Sequence, residues 1–552
     1  MPSADPNGVY AVADRYVDAY AALDPCAATY YGIAGHDHEL TDYSPAGIAA
    51  RLDAARTALA AIDRAELTDD ADRLAAAVTR DRLQRELELH DAQEDLRPLR
   101  IIGSPVQAVR QCFDLMSFDT DDDWDVARAR MERVPDAVAS IEATLRDGVA
   151  RGVVAARRQA LACAQQAEAW GGDAPFFRNL AASGPDDPGL AHAADVATAA
   201  YAKLGAYLRD EYAPVADPHD PVGRDRYQLF SGEFNGIVLD LDETYAWGVD
   251  ELHRIEHQMQ LVAERILPGA SVDDAIEHLE HDVTRTVEGV DAFQQWNQEL
   301  IDRTISELDG VHFDIAEPLH RCEAMIAPPG GAAAMYYTGP SEDFARPGRT
   351  WYPTLGETHF PLWKEVSTCY HEAVPGHHLQ VAQVKYLAGT LSRFQRLFGF
   401  VSGHGEGWAL YAERLMGELG YLDDPAFEMG MLAAQAMRAV RVVVDIGMHL
   451  ELTIPAHERY HPGETWTPEL ALPFVIERSR FPEAFMRSEV DRYLGWPGQA
   501  ISYKVGERVW LECRAEAKAR HGAGFDLKAF HTYALDLGGM GLGLLREELA
   551  RF

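Results

Sequence analysis

His371-Glu372-Ala373-Val374-Pro375-Gly376-His377-His378, residues 371–378, read as a zinc-binding helix into which a proline and a glycine have been pushed. In the H-E-x-x-H pattern two histidines four apart face one way and hold the ion, while the glutamate after the first acts on a water that the metal activates. Here the next histidines come six and seven positions after the first. On a straight helix of about 3.6 residues per turn, a residue six positions on lies roughly 120° away, and one seven positions on lies about 10.5 Å along the axis. Neither position suits a shared metal. Pro375, however, has no amide hydrogen, and its ring clashes with the carbonyl four residues back, which belongs to His371. The helix is therefore expected to bulge or kink there. With two residues taken up, Gly376-His377 returns to the end of the metal helix, making His377 the preferred second ligand and His378 the alternative.

A zinc site that does chemistry needs a third protein ligand and a further position for water or substrate. The next conspicuous carboxylates lie in Ser402-Gly-His-Gly-Glu-Gly-Trp-Ala-Leu-Tyr-Ala-Glu413, where Glu406 and Glu413 are seven apart and share one helix face. Gly403, Gly405 and Gly407 allow close approach of backbone or metal. Glu406 is the better ligand candidate. Glu413 suits a supporting role, orienting a histidine through its other ring nitrogen. Taken singly, a glutamate on a helix is an ordinary solvated residue and a core histidine an ordinary hydrogen-bonding group; the combination points to a metal site.

The 552 residues carry 88 acidic against 50 basic side chains, a formal charge of −38. That balance argues against nucleic acid and against an anionic membrane surface, both of which draw on clustered lysine and arginine. The start Met-Pro-Ser-Ala-Asp-Pro-Asn shows no basic-then-apolar leader, and no uncharged run of about eighteen apolar residues follows. A cytoplasmic location is the resulting expectation. Cys26, Cys112, Cys163, Cys322, Cys369 and Cys513 are widely spaced and form no C-x-x-C pair, which indicates neither a disulfide framework nor a cysteine metal site.

Most segments read as helices, so the fold is expected to be mainly α, a large helical array. Apolar residues recur at three- and four-residue spacing over 48–62, 70–89, 134–151, 190–209, 242–266 and 272–308. Further long helices are expected at about 390–420, 425–453, 467–493 and 498–521. Breaks near Pro214–Gly223 place a boundary between an N-terminal helical part, 1–220, and a catalytic part, 221–552, unless the two form one continuous fold. Gly310–Ile315, Ala334–Thr338 and Arg349–Thr354 are short, β-branched or aromatic, and bounded by glycine and proline. They read as a small antiparallel sheet beside the metal helix, with an edge strand that could pair with an extended peptide. Arg438, Arg441, Asp445 and His449 share one helix, and Asp445 is a candidate to brace a metal-binding histidine.

The segment His371–Gln380 resembles the H-E-x-x-P-G-H-H-L-Q signature of the bacterial proteins grouped as domain of unknown function 885. The resemblance runs along most of the chain, through Asp24–Ile33 with Asp42–Pro45, Tyr336–Phe344, Arg346–Arg349, Gly405–Trp408, Arg492–Leu494 and Pro497–Ala500. More distantly, Gly376-His377, Glu406 with Glu413, and Gly498–Gly506 are similar to segments of carboxypeptidase Taq, thimet oligopeptidase and angiotensin-converting enzyme, which are helical zinc peptidases built around a groove. That resemblance implicates Tyr503 as a hydrogen-bond donor to substrate, and the two-residue Pro-Gly insertion is where this chain departs from it. The implied activity is a zinc-dependent peptidase in which His371, His377 and Glu406 hold one Zn²⁺ and Glu372 is the base. Arg346, Arg349, Arg492 and Tyr337 are candidates to receive a peptide or small amide, the arginines through its carboxylate. Hydrolysis of a non-peptide amide or ester, and a non-catalytic zinc-stabilised peptide binder, are the alternatives. Imidazole and carboxylate ligands also suit manganese or cobalt.

Overall fold

Asp24, Ser44, Asp187 and Asp424 each stand one place before a proline, and each starts a helix: Pro25–Tyr31, Pro45–Ile62, Pro188–Tyr207 and Pro425–Leu450. Their side-chain oxygens accept from the amides of Ala27, Gly47, Gly189 and Leu190, and Ala426, while the proline occupies a position whose own amide would have had no partner. The computed structural model describes residues 6–172, 175–327 and 334–552, and they are mainly α-helical. Asp70–Asp91, Val134–Arg151 and Leu241–Ile266 fall where the apolar spacing puts them.

The chain divides into two units. One comprises Ser3–Val222 together with Asp491–Trp496. Its core includes Val134, Leu145, Phe177, Tyr201 and Leu204, all fully buried. The other comprises Gly223–Val490 and Pro497–Phe552 and contains the segment His371–His378. At its centre runs Pro425–Leu450, where Val440, Val442, Val444 and Ile446 are completely buried, packed against Leu241–Ile266.

Small residues decide how closely the two helices that bear Glu406 and Tyr503 approach. Ser402–Glu418 packs on Ser502–His521. A Cβ on Gly407 would stand 2.4 Å from the Gly506 Cα, and one on Gly506 would stand 2.0 Å from the Gly403 carbonyl oxygen. Backbone cannot swing aside as a side chain can. Gly506→Ala is therefore expected to lower stability by about 1–3 kcal/mol through overpacking. Chemical denaturation of the wild type and the variant checks it, and an unchanged midpoint would contradict this packing.

Three expected elements differ. Residues 272–308 are interrupted: Val272–Glu280 ends, Thr286–Glu288 forms a strand, and Val290–Leu308 begins after Gly289 at φ 91°. The 390–420 stretch is likewise two helices, Arg393–Phe398 and Ser402–Glu418. The 467–493 stretch breaks at Arg480, which takes a left-handed φ of 60° between Pro468–Ser479 and Glu483–Gly495.

The sheet is small and lies just before Glu365–Glu372 in sequence, but its pairing is mixed. Cys322–Ile326 runs parallel to Gly348–Tyr352, and Tyr336–Thr338 pairs antiparallel on the other side. A separate antiparallel pair joins Thr286–Glu288 to His359–Pro361. Gly310–Ile315 contributes no strand, only an isolated bridge between Asp309 and Phe313. The outer edge of Cys322–Ile326 is closed: Gln298 accepts from the Ala324 amide at 2.8 Å and donates to the Cys322 carbonyl at 2.9 Å, and Gln294 donates to the Ala324 carbonyl at 2.7 Å. The opposite edge strand is Tyr336–Thr338.

Candidate metal centre

Pro375 does more than kink the helix. The chain ends one helix at Glu372 (Glu365–Glu372), turns through Ala373–Gly376 with a cis Val374–Pro375 peptide, and starts a second at His377 (His377–Tyr386). A Cβ at Gly376 would lie 1.9 Å from the His371 carbonyl oxygen, so only glycine fits this return. The buried backbone of the break is satisfied locally. The Gly376 amide donates to the Tyr370 carbonyl at 3.0 Å, and the His378 amide to the Ala373 carbonyl at 3.0 Å. Trp408, fully buried, donates its indole N–H to the Pro375 carbonyl at 2.8 Å and ties the turn to the helix carrying Glu406.

This turn brings His371 and His377 together, their rings 4.8 Å apart and nearly perpendicular. Glu406 Oε2 stands 3.4 Å from His371 Nε2 and 3.4 Å from His377 Nε2. One donor atom from each of the three lies within 4.8 Å of the other two. A tetrahedron with metal–ligand bonds of about 2.0–2.1 Å has edges of about 3.3 Å, so two of the three edges already match one ion's coordination shell. The donor set, two imidazoles and a carboxylate, suits zinc, with manganese or cobalt also accommodated.

Glu413, seven residues beyond Glu406, is fully buried and takes the far nitrogen of the first histidine: His371 Nδ1 donates to Glu413 Oε1 at 2.8 Å. Ser367, one turn before His371, donates its hydroxyl to Glu413 Oε2, and Arg438 Nη2 lies 3.9 Å from Oε1. Burial alone would lower the His371 imidazole, but hydrogen bonds to Glu406 and Glu413 raise it to about 9. Burial would raise Glu406, but the charges and hydrogen bonds of His377 and His371 hold it well below the ordinary carboxylate range. Glu413 is likewise held low against burial by Arg438, His371 and Ser367. Glu372, 8 % exposed, follows His371 directly. The Tyr503 ring lies 6.4 Å from the His371 ring at an angle of 21°, and the Arg441 guanidinium stands over the Tyr503 ring, 4.6 Å from its centroid.

Other expected residues are placed differently. His378 is not with the cluster: Nε2 donates to the Leu319 carbonyl at 2.8 Å and Nδ1 accepts from the Tyr337 hydroxyl at 3.0 Å. Burial pushes it down to about 4, so it is a neutral core histidine with both nitrogens used. Tyr337 is correspondingly committed to His378 through its hydroxyl. Arg349 pairs with Glu323, its register partner on the neighbouring strand, at 2.9 Å. Arg492 lies in the segment Asp491–Trp496 of the other unit, over the Tyr493 ring. Asp445 accepts from the Tyr227 hydroxyl at 2.6 Å and the Gly498 amide at 2.9 Å, holding the turn that leads into the Tyr503 helix. Ser367 is unnamed in the sequence reading, and the contacts made by Trp408 and Arg441 have no counterpart there. Only Ser367, four residues before His371 and hence on its face, left a readable signal.

The molecule is thus a mainly helical protein whose second unit buries a His–His–Glu cluster at a broken helix. It belongs to the family described as bacterial protein of unknown function (DUF885), whose pattern matches residues 25–549. No curated protein matches the chain. Among solved structures it is similar to "the putative lipoprotein from Colwellia psychrerythraea", with TM-score 0.82 and 21% identity over 99% of both chains. It is also similar to "a putative lipoprotein of unknown function from Shewanella oneidensis", with TM-score 0.75 and 19% identity over 98% of this chain and 100% of that one. At these identities the likeness is one of fold. The cytoplasmic expectation is corrected by these neighbours, both of which are described as lipoproteins. No helix among the described residues is long and apolar enough to cross a membrane.

Proposed function

We propose that the protein is a metal-dependent hydrolase, a metallopeptidase acting on short peptides, with one Zn²⁺ held by His371, His377 and Glu406. The observation that carries this reading is the placement of Glu406 Oε2 at 3.4 Å from both imidazole Nε2 atoms. A divalent ion there would supply Lewis-acid polarisation of a carbonyl and a water of lowered pKa. Three protein ligands are the number used by hydrolytic zinc sites, whereas structural sites close with four. The similarity of Gly376-His377, Glu406, Glu413 and Tyr503 to segments of carboxypeptidase Taq and its relatives supports the same reading.

The chain's own groups divide the remaining work. Glu372 takes a proton from the attacking water on a carboxylate oxygen and passes it to the nitrogen of the leaving amine, as the carbon–nitrogen bond breaks. Tyr503 donates its hydroxyl hydrogen bond to the oxygen on which negative charge develops. Glu413 keeps His371 in the tautomer that presents Nε2. Glu413→Gln is accordingly expected to weaken Zn²⁺ binding by about 10–100-fold, read by competition with a chromogenic chelator; unaltered affinity would deny Glu413 that role.

A second reading has its own support: His371 stands between two carboxylates, Nδ1 at 2.8 Å from Glu413 and Nε2 at 3.4 Å from Glu406, an arrangement that also suits an imidazolium paired on both sides. Elemental analysis of the purified protein, followed by a mixed peptide library with mass readout before and after chelation, separates the readings. A stoichiometric divalent ion and chelator-sensitive cleavage are expected. Metal retained without cleavage of peptides, amides or esters would leave a binding protein, and failure to bind Zn²⁺ after reconstitution would leave the ionic cluster.

A further inference from the structure

Cys26 and Cys112 are separated by 86 positions in the sequence, yet their sulfurs stand 3.7 Å apart in the N-terminal unit. Each is set by its own local structure. Cys26 is the second residue of Pro25–Tyr31, where its amide donates to the Thr41 hydroxyl at 3.1 Å. Thr41 in turn donates to Asp24 Oδ1 at 2.5 Å, and Asp24 caps the same helix. The buried Arg130 guanidinium fixes the segment from the other side, donating to the Glu39 carbonyl at 2.9 Å and the Thr29 hydroxyl at 2.7 Å. Cys112 opens the helical turn Cys112–Leu115 that follows Pro105–Gln111, and that turn packs on Pro25–Tyr31. The Cys112 thiol is within 3.2 Å of the Ala108 and Val109 carbonyl oxygens and points its sulfur at Cys26.

The geometry points to Cys26 and Cys112 as a disulfide-forming pair, a covalent cross-link between the start of the chain and the core of the N-terminal unit. Bringing the sulfurs to bonding distance requires a shortening of about 1.7 Å, which thiol rotation and a small backbone adjustment can supply. The two thiols also differ in acidity. The hydrogen bond from Cys112, aided by Thr41, lowers the Cys26 thiol to about 7 against the opposing effect of burial, while the same hydrogen bond and burial raise Cys112. The exchange has the same balance whichever sulfur attacks first. With a small-molecule disulfide as oxidant, the Cys26 thiolate displaces one thiolate from it to give a mixed disulfide. Cys112 then loses its proton, attacks the Cys26 sulfur and releases the second thiolate. Two protein thiols are oxidised by two electrons, one external disulfide is reduced to two thiols, and one S–S bond forms for the one broken. Both sulfurs are buried, so the reaction proceeds during folding or transient opening, and the product resists reduction once the unit has closed.

The test uses the full chain, produced and purified with glutathione disulfide throughout, against a sample kept with excess reduced dithiol. After alkylation and non-reducing peptide mapping, the expected result is one dominant cross-linked peptide containing Cys26 and Cys112, an intact mass lower by about 2 Da before alkylation, and four alkylated cysteines. The unfolding midpoint of the oxidised sample should rise by about 5 °C or more, and Cys112→Ser should remove both the cross-link and the rise. Six alkylated cysteines in the oxidised wild type, or Cys26 and Cys112 found chiefly on other partners, would overturn the pairing.

Discussion

With Glu372 replaced by Gln, the protein is expected to keep its divalent ion and lose peptide hydrolysis by about 10²- to 10⁴-fold in kcat. The two carboxylates near His371 that hold it, Glu406 and Glu413, are untouched by this change, and the metal cluster does not include Glu372. Glutamine is nearly isosteric with glutamate but accepts no proton at neutral pH, so what the substitution removes is proton transfer alone. Metal content by elemental analysis and steady-state cleavage of a peptide must be read on the same preparation. Retained ion with lost turnover is the expected pair of results. Retained turnover would remove Glu372 as the base, and a joint loss of metal and activity would mean that Glu372 supports the cluster itself.

How much of this could be read from the chain depends on the range of the interaction that decides each feature. Helices such as Pro45–Ile62 and Val134–Arg151 were legible because a repeating apolar face and a capping residue are local properties. The His–His–Glu cluster was legible in part for the same reason: Pro375 must interrupt the hydrogen bond to the His371 carbonyl, and Glu406 and Glu413 must share a face. The form of the interruption was not. A full separation into two helices, with Trp408 holding the Pro375 carbonyl, depends on a residue more than thirty positions away. Asp445 carries the same ambiguity, since a carboxylate on a buried helix face can brace a histidine or a turn. Tyr227 and Gly498, distant in sequence, tie it to a turn. The small sheet was legible, but not the direction of every pairing, because alternation and turn residues announce strands without saying whether the neighbour runs parallel. The Cys26–Cys112 approach has no local signature at all, since spacing along a chain says nothing of two turns that meet only in the folded core.

The two adjacent histidines offer the sharpest contrast that the structure makes. His377→Ala is expected to weaken Zn²⁺ binding by more than about 100-fold, beyond the loss that a merely orienting partner causes, because it removes one of three donor atoms. The cost to folding should be small, since His377 faces the cluster and its side chain is partly exposed, at 11 %. His378→Ala is expected to do the reverse. Its loss strands the Tyr337 hydroxyl and the Leu319 carbonyl, both of which its ring now satisfies, and leaving buried polar groups without partners costs about 1–3 kcal/mol each. The ion should remain bound in that variant whenever it is folded. Isothermal titration with Zn²⁺ and thermal melting of both variants read the two effects separately. If His378→Ala lost the metal while His377→Ala kept it, the turn through Pro375 and Gly376 would have to present the other ring, and the cluster built around Glu406 would be wrong.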